Sequence, residues 1–231
     1  MYKKNAFTLT EVLMALAIVG VIAVLTVPAL MGEVHNKVYA SQIKNMASTI
    51  EQLAQDQLVV HRTRNLEDTD FATAADLLTD DHFSIAKKCA DADAKKECWK
   101  TSDDAGKDKV TYKLLKGTKT TISSLSSGLG YTVILKNGVL MRYYPVDNGG
   151  KTVGYFTMDV NGNDGPNIFG RDLFGFYITP KGHVADANIT QADSEQATLA
   201  TKVNNCKNGG SAPTEAWCLG ALMDNAWKMK Y

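Results

Sequence analysis

The feature that most constrains this chain is an uninterrupted apolar stretch close to its N-terminus. Residues 12–32 contain no ionisable side chain, and most of them are Val, Leu, Ile, Ala or Met. A helix needs about 20 apolar residues, at about 1.5 Å per residue, to cross the hydrocarbon core of a bilayer. Lys3 and Lys4 precede the stretch, which predicts that the short N-terminal end stays in the cytoplasm and the rest lies outside. Glu11 stands at the start of the stretch, where a carboxylate is costly to bury and is a functional candidate.

Two general kinds of segment begin in this way, and neither accounts for all of it. A secretory signal peptide has an apolar core of about 7–15 residues followed by a cleavage site of small residues. The stretch in this chain is longer, and no convincing site follows it. A plain transmembrane anchor accounts for the length and for the lysines, but it gives Glu11 no purpose.

The order of residues around Glu11 resembles the class III signal of type IV pilins and of the pseudopilins of type II secretion. A short basic leader is followed by Ala6, Phe7-Thr-Leu-Thr-Glu11 and the apolar stretch, and Pro28 lies 21 residues after Phe7. The resemblance implies that a prepilin peptidase cuts between Ala6 and Phe7 and that the new amine of Phe7 is methylated. It also implies that Glu11 serves filament assembly and that Pro28 kinks the helix. The family usually has Gly before the cut, so Ala6 lowers the expected efficiency of processing.

The helical pattern continues beyond the apolar stretch. Apolar residues recur at alternating spacings of four and three, with polar residues on the other face, which predicts an amphipathic helix; they are Tyr39, Ile43, Met46, Ile50 and Leu53. We therefore expect a leader over residues 1–6 and one long helix over residues 7–58. Its transmembrane segment covers about residues 12–32, and residues 59–231 form a globular domain outside the cytoplasm.

Four strands are predicted in the second half of the chain, over residues 131–136, 139–144, 153–160 and 173–179. Asn137-Gly138 between the first two predicts a type I′ turn, which requires two positive φ angles. Short links predict an antiparallel meander that covers the apolar face of the helix. The fold class is therefore α+β, with a pilin-like arrangement of a long N-terminal helix on an antiparallel sheet. A short helix over 71–78, a solvated loop over 89–109 and a weak helix over 190–204 complete the prediction.

The four cysteines fall into two close pairs, Cys89 with Cys98 and Cys206 with Cys218. On the outer side of a membrane this arrangement predicts two local disulfides, although four cysteines permit three connectivities. Spacings of 9 and 12 residues without a C-x-x-C element argue against zinc.

A loop between the third and fourth predicted strands carries oxygen-bearing side chains among glycines. We take five of them as candidate calcium ligands: Asp159, Asn161, Asn163, Asp164 and Asp172. The loop is not an EF-hand, because the twelfth position counted from Asp159 is Gly170 rather than Glu. The alternative is an ordinary turn, since Asn, Asp, Gly and Pro are also the usual turn formers. Some pseudopilins have a calcium-bound loop in the C-terminal domain, similar in role but not matched here residue by residue.

Composition and motifs disfavour two classes of function. The chain has 25 basic and 25 acidic side chains and no basic patch interleaved with aromatic residues, so no nucleic acid partner is expected. No H-E-x-x-H, G-x-S-x-G, P-loop or dinucleotide motif occurs, and the four histidines are scattered. We therefore expect no enzyme, although a membrane-tethered enzyme with a site built from distant residues is a remaining alternative.

The resemblance implies a structural subunit of a type II secretion pseudopilus or a type IV pilus. Its expected partners are other pilin or pseudopilin subunits, prepilin peptidase and the inner-membrane assembly machinery. Its expected location is the bacterial inner membrane, and then the filament. The loop at Asp159 favours a pseudopilin, and the C-terminal cysteine pair favours a pilin. The alternative function is a bitopic anchor that displays a calcium-stabilised binding module.

Overall fold

The computed structural model describes residues 8–73, 77–79, 81–90, 93–122, 125, 130–192, 196–210 and 213–231. The chain divides into two compact units, Met1–Val38 and Tyr39–Tyr231. Helix α1, Leu9–Val60, begins in the first unit and ends in the second. It has the predicted length of 52 residues, shifted by two positions towards the C-terminus. Helical structure continues through Pro28, and the kink expected there stays a prediction.

The predicted apolar face of α1 is confirmed in the second unit. Ile43 and Ile50 are fully buried and Leu53 is nearly so. The buried face also includes three alanines that were not among the predicted apolar residues, Ala40, Ala47 and Ala54. These residues belong to the same hydrophobic core as the strands described below. The core is therefore built jointly by the helix and the sheet, as an amphipathic helix requires.

A six-stranded antiparallel sheet forms the centre of the second unit. Its strands are β1 (Ile85–Cys89), β4 (Tyr131–Leu135), β5 (Leu140–Pro145), β6 (Gly154–Asp159), β7 (Leu173–Ile178) and β8 (Val184–Ala185), in the spatial order β1-β4-β5-β6-β7-β8. A separate hairpin pairs β2 (Tyr112–Lys113) with β3 (Lys119–Thr120). The four predicted strands are the four central ones, β4 to β7. The α+β, pilin-like fold is confirmed.

Strands β6 and β7 are buried at every position, so the sheet is covered on both faces. On one face, the rings of Tyr143 and Phe156 contact each other and the ring of Phe71. The neighbouring residues in register, Tyr144 and Tyr155, point to the opposite face because side chains alternate along a strand. Two faces lined by large aromatic side chains give this small sheet its buried area.

The β4–β5 hairpin is confirmed, but its turn is not of type I′. Gly138 has a φ of 87°, whereas Asn137 has no positive φ. The amide of Gly138 donates to the carbonyl of Leu135 at 2.9 Å, and the amide of Leu135 donates to the carbonyl of Val139 at 2.8 Å. This pattern is a three-residue loop in which a type I turn is followed by a left-handed glycine. The Asn137-Gly138 dipeptide therefore lies one position later in the turn than it would in the predicted type I′ turn.

Three local predictions need correction. The region around Cys89 is not all loop: β1 ends there, and a π-helical turn, Ala94–Cys98, and a 3-10 helix, Asp103–Asp108, follow. The short helix α2 covers Asp70–Thr73 rather than 71–78, and residues 74–76 lie outside the described residues.

The third correction concerns the weak helix predicted over 190–204. The helix in this region, α3, covers Leu199–Asn208 and contains Cys206. Cys218 lies in a further helix, α4, Thr214–Asp224, so this cysteine pair joins two helices. The predicted disulfides are both present, Cys89 with Cys98 and Cys206 with Cys218. In an entropy-based account each closes a loop of about ten residues and contributes about 3 kcal/mol.

Candidate functional site

The N-terminal candidate site starts with a capped helix. The backbone amide and the hydroxyl of Thr8 donate to Glu11 Oε2 at 2.8 and 2.9 Å, and the amide of Glu11 donates to Thr8 Oγ1 at 3.3 Å. This reciprocal arrangement is a capping box, which satisfies amide groups that the first turn of a helix leaves without partners. The predicted cleavage residues, Ala6 and Phe7, lie outside the described residues.

The first part of α1 exposes its apolar side chains. Every described side chain between residues 12 and 27 is exposed, including large ones such as Leu13, Met14 and Ile18. Within the part of the chain that the structure describes, α1 is the one helix that is long and apolar enough to cross a membrane. A continuous apolar surface of this kind needs a lipid or protein environment. This segment is therefore consistent with the membrane anchor of a prepilin.

The loop between β6 and β7 is built around two buried carboxylates, and Asp172 organises its second half. The amide groups of Asn167 and Ile168 donate to Asp172 at 2.7 and 2.6 Å. Burial raises the pKa of Asp172 to about 6, and the two amide hydrogen bonds act in the opposite direction. Asp172 is thus a structural acceptor that turns the chain before β7.

Asp159 ends β6 and organises the first half of the loop. Its Oδ2 accepts a short hydrogen bond from the hydroxyl of Tyr112, and its Oδ1 accepts from the amide of Asn161 at 3.2 Å. Burial, followed by the nearby charge of Asp172, raises the pKa of Asp159 well above its usual range. Two neighbouring buried carboxylates without a cation favour protonation of one of them. A bound cation would relieve the same repulsion.

The amide side chains of the loop leave several oxygens without donors. The Oδ1 atoms of Asn161 and Asn163 are buried and make no hydrogen bond with a described residue. The amide oxygen of Asn167 faces two other acceptors, the carbonyl oxygens of Gly162 at 3.3 Å and Asp164 at 3.2 Å. Rotating this amide by 180° would turn the contacts into hydrogen bonds, and a cation among the oxygens would also account for them.

The five predicted calcium ligands differ in how deeply their side chains are buried. Asp159 and Asp172 are fully buried, and Asn161 and Asn163 are half-buried. The side chain of Asp164 is exposed, so this residue brings its carbonyl oxygen rather than its carboxylate to the loop interior. The described residues include no group of three or more His, Cys, Asp or Glu side chains suited to a metal ion. Amide and carbonyl oxygens, which calcium accepts, would have to supply most of its ligands.

Two residues of these sites were missed in the sequence. Thr8 caps the helix, and the signal was present as Thr-x-x-Glu over residues 8–11, the usual spacing of a capping box. Tyr112 binds Asp159 from 47 positions away, and no local pattern could have indicated this partner.

Comparison with known proteins bears on the N-terminal site alone. Residues 1–27 match the family described as the prokaryotic N-terminal methylation motif. No curated protein and no solved structure matches the chain. The matched segment contains Ala6, Phe7, Glu11 and the first part of the exposed apolar helix. Proteins with this motif are processed by prepilin peptidase and assemble with other pilins, and they are structural proteins rather than enzymes. Over these 27 of its 231 residues the chain is similar to the N-terminal segment that marks type IV pilins and pseudopilins.

Proposed function

We propose that the chain is a filament subunit of a type II secretion pseudopilus or a type IV pilus. It is inserted in the bacterial inner membrane with its globular domain outside the cytoplasm. Prepilin peptidase then cuts after Ala6 and methylates the amine of Phe7. The observation that carries the proposal is the methylation motif over residues 1–27, joined to a helix whose apolar side chains are exposed.

Processing changes the charge where assembly takes place. Removal of residues 1–6 takes away Lys3 and Lys4, so 23 basic side chains remain against 25 acidic ones, a net charge of −2. The new amine of Phe7 carries a positive charge into an apolar layer, where it needs a partner. We propose that Glu11 of an incoming subunit pairs with the Phe7 amine of its neighbour and so fixes the axial register. Subunits related by a rotation and a rise then form an open helical array.

The capping box allows the charge of Glu11 to be tested separately from its structural role. Glu11→Gln keeps an oxygen that can accept from Thr8, because Gln also serves at this position of a capping box, but it removes the charge. Thr8→Ala removes the two hydrogen bonds of the cap that involve the hydroxyl and keeps the charge. In the native host we expect Glu11→Gln to be processed and inserted normally but to be absent from sheared filaments. We expect Thr8→Ala to be incorporated.

Two results would contradict this proposal. Incorporation of Glu11→Gln at the wild-type level would remove the pairing role. Mass spectrometry of the mature protein should find a chain that begins at methylated Phe7, and an intact Met1 terminus would refute processing.

We further propose that the β6–β7 loop binds calcium. Calcium binding would also suit the alternative function, a membrane anchor that displays a calcium-stabilised binding module. The supporting observation is the set of buried oxygens without donors at Asn161, Asn163 and Asn167, next to two buried carboxylates. When bound, calcium would supply positive charge that neutralises Asp159 and Asp172 and would tie both halves of the loop together. The ligand number and charge suit a site of about 0.1–1 mM affinity, as in other extracellular modules.

The calcium proposal is tested by titration calorimetry of the full chain in a nonionic detergent, with magnesium as the competing ion. Calcium at about ten times its dissociation constant should stabilise the domain by about 1.4 kcal/mol in urea unfolding. Asp159→Asn should abolish both effects. Asp147→Asn, in an exposed Gly-rich turn where Asp147 also accepts from a backbone amide, is the matched control. Absence of binding at about 10 mM calcium, or equal losses in both variants, would overturn the proposal.

A further inference from the structure

A basic segment occupies residues 87–119. It contains ten lysines and six acidic residues, a net charge of +4 in a chain whose total is zero. Four of the acidic side chains are held in ion pairs within the segment: Lys87–Glu97, Lys96–Asp104, Lys100–Asp108 and Lys109–Asp103. These pairs are neutral, so the segment keeps its net charge of +4 after they form.

This segment and the residues that follow it, up to Leu125, line a half-open cavity of about 510 Å³ beside the β2–β3 hairpin. The charged residues among its described lining residues are all lysines: Lys95, Lys109 and Lys119. None of the described lining residues carries a carboxylate. A concave surface that carries one sign of charge focuses its field and concentrates ions of the opposite sign.

Two of the three cavity lysines are accessible to an anion. Lys119 is exposed and makes no ion pair with another described residue. Lys109 pairs with Asp103, whose side chain is 92% exposed, so this pair is screened by water and worth little. At Lys109 and Lys119 an incoming anion therefore competes with water and with a weak contact rather than with a buried salt bridge.

The rest of the cavity wall restricts the class of anion. Threonines and apolar side chains, among them Thr111, Thr120, Val110 and Ile122, lie between the lysines. Hydroxyl groups beside apolar surface match the alternating O–H and C–H groups of a sugar ring, and the volume suits one or two such rings.

A nucleic acid fits this cavity less well. Single-stranded nucleic acids are held by exposed aromatic rings on which the bases stack. Tyr112 is the aromatic residue among the described lining residues, but it is 1% exposed and its hydroxyl is bound to Asp159. We propose that the cavity binds carboxylate-bearing sugar units of an acidic polysaccharide.

The proposal is tested with trigalacturonate as the probe and the full chain in a nonionic detergent, by calorimetry at low and at high salt. The neutral trisaccharide maltotriose, inorganic phosphate and a thymidine oligonucleotide are the comparison ligands. The test variant is Lys95→Gln with Lys119→Gln. The matched control is Lys228→Gln with Lys230→Gln, which makes the same change in net charge at two exposed lysines outside the cavity lining.

We expect trigalacturonate to bind and to lose affinity as salt rises, because exposed charges are screened. The Lys95→Gln, Lys119→Gln variant should weaken binding about tenfold, and the control variant should not change it. No binding at about 10 mM, an equal loss in the control, or equal affinity for maltotriose would overturn the proposal. Tighter binding of phosphate alone or of the oligonucleotide would also overturn it. None of these results depends on filament assembly.

Discussion

Glu215 is a carboxylate that the fold buries in the second unit without an ionic partner among the described residues. It lies in the first turn of α4 and is 1% exposed. Its Oε1 makes no hydrogen bond with a described residue, and the same is true of the hydroxyl of Tyr155 on the sheet below. Gly175 makes room for both, since a Cβ at this position would meet Tyr155 Oη and Glu215 Cγ. Tyr144 and Tyr177 interact electrostatically with Tyr155, and Tyr177 also interacts with Glu215.

Burial raises the pKa of Glu215 from 4.5 to about 7. An acid whose pKa is raised on folding is protonated in the folded state over a range where the unfolded chain is ionised. Its folded form is therefore least penalised below about pH 4.5, and stability falls as pH rises from about 4.5 to about 7. This change in the pKa of Glu215 corresponds to about 3 kcal/mol of the free energy of unfolding, and the loss is complete above about pH 7.

Glu215→Gln keeps the shape of the side chain and removes its ionisation. We expect the variant to be about 3 kcal/mol more stable than the wild type near pH 8 and about equally stable near pH 4. The measurement is urea unfolding of the full chain in a nonionic detergent, followed by tryptophan fluorescence, which includes Trp217 in the same helix. Asp172, whose pKa is raised to about 6, titrates in the same window, so the difference between variant and wild type is the informative quantity.

Glu67→Gln, at an exposed carboxylate, is the matched control and should leave the pH profile unchanged. An identical dependence of unfolding free energy on pH in Glu215→Gln and in the wild type would contradict this prediction. A variant that is less stable than the wild type near pH 8 would also contradict it.

Three further predictions use the same unfolding assay. Lys202→Ala should cost about 2–3 kcal/mol near neutral pH, because Lys202 Nζ lies 2.7 Å from both Asp186 and Asp224 and its loss leaves two carboxylates together; Lys228→Ala is the exposed control. Replacing Cys206 and Cys218 with Ala should cost about 3 kcal/mol, and an unchanged midpoint would contradict this disulfide's role. Gly170→Ala should cost more than about 1 kcal/mol, because φ is +82° and the new Cβ would lie 2.5 Å from Cys206 Sγ and 3.0 Å from Cys218 Sγ, whereas Gly117→Ala, with a similar φ but open space, should cost less.

The parts of the fold that the sequence predicted well are those with a strong local period. Helix α1 repeats its apolar residues over many turns, and strands β4 to β7 combine apolar runs with turn residues at their ends. Strand β1 was missed because Lys87 and Lys88 stand in its middle and its three central residues are exposed. An edge strand of this kind is defined by its partner β4, a contact that no local pattern contains.

The C-terminal helices were predicted only in part, for a different reason: α3 overlaps the weak helix predicted over 190–204, and α4 was not predicted. Residues 206–218 contain two glycines, a proline and two cysteines, which are typical of a loop closed by a disulfide. The structure places one cysteine in each of two helices, and the disulfide holds these helices together. Lys202 adds ionic contacts between α3 and α4 that depend on the fold. Helix pairs of this kind are stabilised by tertiary contacts, so their intrinsic helical signal is weak.

The structure makes the hypothesis for Glu11, which stays a prediction, more specific. The resemblance to pilins implies one role for this carboxylate, in filament assembly. The capping box supplies a second, and both hydrogen bonds from Thr8 go to the same oxygen, Oε2. Oε1 makes no hydrogen bond with a described residue and remains able to accept from the Phe7 amine of a neighbour while the cap stays intact. The proposed pairing would therefore not require the helix to give up its cap, so Glu11→Gln, and not Glu11→Ala, is the variant that isolates the charge.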